Sequence, residues 1–234
     1  MNISTEIYIL KTKEEIRNKV FGVTKSLLEV HSFAEKDGEI QIERIDFETY
    51  PDTVIVYIAV VKGHFFVGFY FNTGENPELR SVEIENGSKA YFTITSETLN
   101  FTELSAMTNL KPLIGWSKGD SRPNGKSTYN FTRLMFDPFP SKAYDLGFKV
   151  KKLVEELEKD SKGVKSLLKI ADYGGINCAY WMHSNANKGI HLDEETMIKM
   201  GALGLYIDFD QYITGTEFIN NYPFMDGSDL IPLY

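Results

Sequence analysis

The chain has 234 residues, 42% of them hydrophobic and 25% charged, a composition that excludes an intrinsically disordered protein and provides enough core for one large domain or two small ones. Its net charge of −8 argues against nucleic-acid binding through phosphate neutralisation and suits either a basic protein partner or no charged partner. No stretch approaches the roughly 18 apolar residues of a membrane span, and the N-terminus lacks a secretory pattern, so we expect a cytoplasmic protein without membrane contact.

The first 88 residues read as a small sheet with one helix. Residues 3–10 predict a strand, and a capping box of Thr12 and Glu15 predicts the start of a helix whose apolar side continues to Val30. Four β-rich segments follow between turn signals, at 40–49, 53–61, 64–71 and 79–85. We therefore predict an N-terminal domain over 1–88, an antiparallel sheet in the order β-α-β-β-β-β.

The rest of the chain, 89–234, is predicted to form a second domain, an α/β sandwich in the order β-α-β-α-β-β-α-β with an irregular tail over 214–234. Its strands are predicted at 90–95, 128–136, 166–173, 176–182 and 205–213, the third and fourth forming a hairpin around Gly174–Gly175. Its helices are predicted at 101–109 after an Asn100–Glu103 capping box, at about 141–159, and from Asp193 to Gly204. The whole chain is therefore expected to be an α+β protein.

Residues 119–127 read G-D-S-R-P-N-G-K-S and resemble a phosphate-binding P-loop, G-x-x-x-x-G-K-S/T. Gly119 and Gly125 are one residue too far apart, and the flanks lack the buried strand and the helix that such a site needs. Pro123 and Asn124, with the two glycines, instead predict turns between strands. This loop is a candidate anion-binding site because it carries three cations, although a solvated loop is the plainer interpretation. The cations are Lys118, Arg122 and Lys126.

Acidic residues are concentrated in the N-terminal part. Residues 1–88 hold 15 Asp and Glu against 9 Lys and Arg, and the acids are densest from Glu35 to Asp52. A solvated surface is the plainer interpretation, and a docking surface for a basic protein is the functional one. On the functional interpretation, the side chains that attract the partner are Glu35, Asp37, Glu39, Glu43, Asp46 and Glu48.

The last predicted strand has one polar face, because side chains alternate along a strand. This face carries Tyr206, Asp208, Asp210 and Tyr212, whereas Ile207, Phe209 and Ile213 are expected to face a core. Two carboxylates about 7 Å apart can hold a metal or act as an acid–base pair once His183, His191 or the basic loop joins them, although solvated or structural acids are the plainer interpretation. The two histidines match no zinc spacing, so we expect no metal and no cofactor.

Four stretches between residues 90 and 213 follow the pattern of a known family. They are A-Y-F-T-I-T-S-E-T-L-N-F-T-E-L, I-G-W-S-K-G-D-S-R-P-N-G, the pair K-S-L-L-K-I-A-D-Y and I-N-C-A-Y-W-M, and the ending G-I-H-L-D-E-E-T-M-I-K-M-G-A-L-G-L-Y-I-D-F-D-Q-Y. They resemble the bacterial domain-of-unknown-function family 4279. The resemblance implies no established activity, but some members occur in settings that suggest immunity proteins, which bind and neutralise a toxin. Residues 1–89 lie outside it.

The sequence contains no G-x-S-x-G, H-E-x-x-H or Rossmann glycine motif, and its single cysteine, Cys178, excludes an intramolecular disulfide. We therefore expect a non-enzymatic protein-binding module, an immunity or inhibitor protein that neutralises a toxin or another bacterial or phage factor. The alternative is a small-molecule or metal-dependent enzyme with a site around Asp208 and Asp210. A purely structural subunit is a third option, and the sequence does not define the oligomeric state.

Overall fold

The computed structural model describes residues 3–139, 143–186 and 188–219, and it is an α+β structure as the sequence predicts. In its first part, two helices precede a small hairpin and a four-stranded sheet. These elements are α1 Ile3–Asn18, α2 Gly22–Val30, β1 Glu35–Lys36, β2 Glu39–Ile40, β3 Ile42–Tyr50, β4 Thr53–Ala59, β5 Phe66–Asn72 and β6 Leu79–Glu85.

The strands β3 to β6 form an antiparallel meander in which each strand pairs with the next along the chain. They match the four β-rich segments of the sequence, and Lys62 and Gly63 lie in the connection between β4 and β5. The two helices contribute to the apolar core of this sheet, where Tyr8 and Leu27 share one cluster with Val56 and Phe69.

The prediction of a strand over residues 3–10 is wrong, because this segment is the first half of α1. Isoleucines and an aromatic residue indicate a strand by composition. In the structure, Tyr8, Thr12 and Glu15 are all buried, and their i, i+4 and i, i+7 spacing places them on one side of a helix. Burial of this side outweighs the local preference for a strand.

The predicted capping box of Thr12 and Glu15 is also wrong, since both residues lie inside α1. Lys19 adopts a left-handed φ of 53° just after α1, so the helix predicted to continue through Val30 is two helices. The Glu15 carboxylate instead accepts hydrogen bonds from the backbone N–H groups of Val20 and Phe21, at 3.3 and 3.0 Å. Glu15 therefore caps the turn that leads into α2.

The remaining elements form a five-stranded sheet with four helices in the described residues. They are β7 Gly87–Ser96, α3 Phe101–Ser105, β8 Ile114–Trp116, β9 Thr132–Phe136, α4 Leu146–Glu158, α5 Ser161–Ile170, β10 Tyr173–His183, α6 Glu194–Leu203 and β11 Ile207–Thr214. The sheet order is β11-β10-β7-β9-β8, and β9 is antiparallel to both β7 and β8. The observed order β-α-β-β-α-α-β-α-β corrects the predicted one.

The strands β10 and β11 run parallel to each other. The backbone N–H of Ile176 donates to the carbonyl oxygen of Tyr206, and that of Ser184 donates to the carbonyl oxygen of Thr214, so the residue numbers of both partners increase together. A parallel pair requires a crossover connection, and α6 provides it.

The helix boundaries that the sequence marks most clearly are confirmed. Asn100 and Glu103 form the predicted capping box of α3, with reciprocal hydrogen bonds of 3.0 and 2.8 Å. Asp193 caps α6 by accepting the N–H of Thr196 at 2.7 Å, and Gly204 ends the same helix with a φ of 76°. Among the helices of the described residues, none is both long and apolar enough to cross a membrane.

The predicted hairpin around Gly174–Gly175 is wrong. Residues 161–170 form α5, which Asp160 caps through the N–H of Gly163 at 3.1 Å, and the glycines lie inside the single strand β10. A Gly-Gly pair signals a turn in a sequence. In this structure, packing rather than a turn requires glycine at position 175, because a Cβ on Gly175 would lie 2.6 Å from the ring of Tyr206.

Contacts between Cα atoms divide the chain into two compact units. The first unit comprises Met1–Gly87, Trp181–Lys188 and Ile213–Tyr234, and the second comprises Ser88–Tyr180 and Gly189–Tyr212. Two late segments of the chain thus group with the N-terminal part. The division into domains 1–88 and 89–234 stays a prediction, and residues 220–234 of the predicted tail lie outside the described residues.

Two helical glycines give a paired test of the packing. A Cβ on Gly147, in the first turn of α4, would lie 2.1 Å from the backbone oxygen of His191, whereas a Cβ on Gly201, in α6, would meet no atom within 4 Å. We expect Gly147→Ala to lower the free energy of unfolding by about 1–3 kcal/mol, and Gly201→Ala to raise it by about 0.5–1 kcal/mol. Urea denaturation measures both, and equal effects would contradict the contact at Gly147.

Candidate functional site

The predicted acidic surface begins on the hairpin of β1 and β2. Asp37 and Gly38 form its turn with φ values of 56° and 79°, the two left-handed residues that a tight type I′ hairpin requires. Glu35, Asp37 and Glu39 are exposed. Glu39 pairs with Lys13 of α1, and the hydrogen bond to this lysine lowers the pKa of Glu39. The hairpin therefore presents three carboxylates to solvent.

The acidic surface continues on β3, which is an edge strand of the four-stranded sheet. Glu43 is half-buried and Glu48 is exposed. Phe47 and Tyr50, on either side of Glu48, are 46% and 52% exposed. Phe47 packs edge-on against Tyr8 of α1 with ring centroids 5.8 Å apart. The far end of β3 thus combines a carboxylate with two accessible aromatic side chains.

Asp46 differs from the other predicted members because it is buried, with 2% exposure. It forms an ion pair with Arg44 and accepts hydrogen bonds from the N–H groups of Glu48 and Thr49, at 2.9 and 3.1 Å, and from the Thr49 hydroxyl. Burial alone would raise the pKa of Asp46, but these hydrogen bonds and Arg44 hold the pKa below its ordinary value. Asp46 therefore shapes the end of β3 and presents no charge to solvent.

The stretch G-D-S-R-P-N-G-K-S is a β-hairpin, as its turn residues predict. The N–H of Gly125 donates to the carbonyl of Arg122 at 2.8 Å, which closes a turn over Pro123 and Asn124, and Gly125 itself has a φ of 65°. The N–H of Arg122 donates to the carbonyl of Ser127 at 2.9 Å on the far side of the turn. This geometry leaves no helix N-terminus to hold a phosphate, so the resemblance to a P-loop has no structural counterpart.

The cations of this hairpin are exposed, and two of them contact backbone carbonyls. Lys118 donates to the carbonyl of Glu97 at 3.2 Å, and Arg122 donates through Nε to the carbonyl of Thr128 at 3.3 Å. Lys126 is exposed at the tip. Their role in anion binding stays a prediction.

An aromatic stack supports the base of the hairpin. Arg122 lies over the ring of Tyr129 at 5.1 Å, Tyr129 stacks on Trp116 with centroids 4.2 Å apart, and Arg133 lies over Trp116 at 5.6 Å. The indole N–H of Trp116 donates to the carbonyl of Phe131 at 3.0 Å. Trp116, which precedes Gly119 and Asp120 in the sequence, is therefore a structural residue that supports the hairpin.

Asp208, Asp210 and Tyr212 lie on β11, the edge strand of the five-stranded sheet, and all three are exposed. The hydroxyl of Tyr173 donates to Asn177 Oδ1 at 2.8 Å and lies 3.1 Å from Asp208 Oδ2. The expected core face of β11 is wrong, because Phe209 and Ile213 are 38% and 76% exposed and Ile207 is only partly buried. Because β11 is the last strand of the sheet, the layers packed on the two faces cover it less completely than the central strands, and side chains on both of its faces reach solvent.

His191 is exposed in the segment before α6. In the part of the chain that the structure describes, no three His, Cys, Asp or Glu side chains are arranged so that they could hold a metal ion. Cys178 is buried in β10, and burial raises the pKa of its thiol to about 12. This thiol is therefore protonated at neutral pH and packs as an apolar group.

Sequence reasoning missed a pair of histidines in the first unit. His31, just after α2, and His183, at the end of β10, approach each other with their Nε2 atoms 3.2 Å apart. The N–H of Asn185 donates to Nδ1 of His183 at 3.0 Å, and the N–H of Thr216 donates to Nε2 of His31 at 3.1 Å. The pair is separated by 152 positions in the chain, so no local motif reveals it.

The hydrogen bonds fix the tautomer of His183. Because Nδ1 accepts the N–H of Asn185, the neutral ring carries its proton on Nε2, the atom that faces Nε2 of His31. A metal-binding histidine keeps the lone pair of one nitrogen for the metal, whereas the Nδ1 lone pair of His183 is occupied by the N–H of Asn185. Burial, and then the neighbouring His31, lowers the pKa of His183 to about 4. The two rings thus form a close contact, the histidine clasp, in which His183 is neutral at pH 7.

The burial of Asp46 distinguishes it from its exposed neighbour Glu48. We expect Asp46→Ala to lower the free energy of unfolding by about 2–4 kcal/mol, because the N–H groups of Glu48 and Thr49 lose their buried acceptor and Arg44 loses its ion pair with Asp46. Glu48→Ala is expected to change it by less than about 0.5 kcal/mol. Guanidinium denaturation measures both variants. Equal stabilities would show that Asp46 belongs to the surface.

The histidine clasp predicts a pH dependence of stability. The pKa of His183 is about 4 in the folded protein and about 6.5 when unfolded, so the unfolded chain binds more protons between these values. The free energy of unfolding therefore falls as pH decreases from 6.5 to 4, by on the order of 2–3 kcal/mol from this residue. His183→Gln should flatten that slope, whereas His191→Gln, at an exposed position, should leave it unchanged. A variant H183Q with the wild-type slope would refute this assignment.

Comparison with known protein families confirms the resemblance of the C-terminal part. The family model described as Domain of unknown function (DUF4279) matches residues 85–214, from the end of β6 through β11. Neither the curated proteins nor the solved structures contain a match to this chain. The matched residues make up more than half of the chain and include the hairpin at residues 119–127, β10, α6 and β11. The chain therefore belongs to the DUF4279 family.

Proposed function

We propose that this chain is a cytoplasmic, non-enzymatic protein-binding module that recognises a basic protein, in the manner of an immunity or inhibitor protein against a toxin or another bacterial or phage factor. The observation that carries the proposal is the combination of exposed carboxylates and exposed aromatic rings in the first unit. Glu35, Asp37 and Glu48 supply the charge, and Phe47 and Tyr50 supply the apolar area.

These two kinds of group have different roles in association. Carboxylates at the rim of an interface accelerate encounter with a positively charged partner and reject acidic ones. Aromatic side chains supply most of the binding energy once water is excluded. Glu39 of the hairpin pairs with Lys13 of α1, and Phe47 packs against Tyr8 of the same helix. On this proposal, one partner contacts both the hairpin and Phe47.

A charge-reversal experiment tests the proposal. Tagged full-length protein captures its partner from the native host at low salt, and biolayer interferometry then measures association with the purified partner. We expect the triple variant Glu35→Lys, Asp37→Lys, Glu48→Lys to lower the association rate constant about tenfold or more, with a smaller effect at high salt.

A matched control changes the charge by the same amount elsewhere. The triple variant Glu97→Lys, Asp210→Lys, Glu217→Lys replaces three other exposed carboxylates and should retain most of the wild-type association rate. Equal losses in the two triple variants would indicate only a net-charge effect. An unchanged association rate constant of the first variant at low salt would show that the acidic surface is not part of the interface.

A further inference from the structure

A pocket of about 420 Å³ lies within the second unit. Three segments form its walls: the loop 110–113, the end of β9, and one side of α4. The apolar contributions are Leu110 and Leu113 from the loop, Phe136 and Pro138 from the strand, and Leu153 and Leu157 from the helix. Its volume and apolar lining are those of a small-molecule pocket.

The walls of this pocket are held in place by hydrogen bonds. Asp160 accepts the Thr108 hydroxyl at 2.8 Å and the N–H of Asn109 at 2.6 Å, which fixes the start of the loop against α5. The N–H of Leu113 donates to the carbonyl of Met135 at 2.8 Å, which fixes the end of the loop against β9. The pocket is thus formed before any ligand arrives.

The charged groups of the pocket are unevenly distributed. Asp137 and Glu156 carry carboxylates, and Lys111 is the one cation among the described residues that line the pocket. Lys159 already pairs with Glu156 at 2.5 Å. Asp137 is half-buried and accepts the N–H of Phe139 at 2.8 Å. Burial raises the pKa of Asp137 despite the opposing influence of Lys149 and Lys89.

This combination defines what the pocket can recognise. A half-buried carboxylate beside apolar walls is incompletely solvated, and a ligand cation restores the interaction that water no longer supplies. A carboxylate ligand would be repelled by Asp137. We propose that this pocket binds a small primary amine with a short apolar chain, the ammonium group facing Asp137 and the chain packing against the leucines.

Three ligands with the same six-carbon chain test the proposal on the full-length protein: hexylamine, hexan-1-ol and hexanoate. Isothermal titration calorimetry should show hexylamine binding about tenfold or more tightly than hexan-1-ol, because a hydrogen bond to a charged group exceeds a neutral one by this order. Hexanoate should bind more weakly than the alcohol. Equal affinities for the amine and the alcohol would overturn the proposal.

Variants test the carboxylate and the apolar walls of the pocket separately. Asp137→Asn should remove the preference for the amine while retaining the alcohol, and Asp208→Asn, an exposed carboxylate of β11, should change neither affinity. Leu113→Trp, at a position 47% exposed, should fill the pocket and weaken both ligands while the protein remains folded. A preference for the amine that survives Asp137→Asn, or binding that survives Leu113→Trp, would contradict the assignment.

Discussion

Exclusion of water from both faces of β4 is the constraint on which the first unit depends. Val54, Val56 and Ile58 belong to the core cluster that α1 and α2 join, and Ile55 and Tyr57 on the opposite face are buried as well. A strand buried on both faces must pair its backbone on both edges, since an unpaired N–H or C=O group would be costly there. β5 and β3 supply this pairing and leave β3 as the edge, where polar side chains are tolerated.

The edge position explains why β3 carries charged and irregular features. Its register with β4 shifts between Ile42 and Arg44 and again between Asp46 and Tyr50. Such irregularities, together with charged side chains, keep an exposed edge from pairing with another strand. The Arg44–Asp46 ion pair stabilises the strand just before the second shift. Glu48, one of the charged side chains of this edge strand, is exposed and thus also available to a partner that approaches through its side chains.

Local signals sufficed where a few neighbouring residues decide the structure. The Asn100–Glu103 capping box, the Asp193 cap and the turn at Gly125 are examples, since each is closed by residues within a few positions. Elements decided by distant packing are not predictable in this way: residues 3–10 have the composition of a strand but lie in α1, and Gly174–Gly175 resemble a turn but lie inside β10. The same distinction between local signals and distant packing applies to the candidate sites. The acidic hairpin is visible in composition, whereas the burial of Asp46 and the His31–His183 contact depend on residues brought together by the fold.

The core cluster of the first unit has a consequence for biosynthesis. Ala186 and Phe218 belong to the same buried cluster as Leu27 and Val56, although they are among the last described residues to leave the ribosome. Domains usually fold as they emerge, beginning with the N-terminal one. Here the core cluster of the N-terminal sheet and helices remains incomplete until the segment that carries Phe218 has been translated. Until then, the nascent chain exposes the apolar surface that Ala186 and Phe218 later cover.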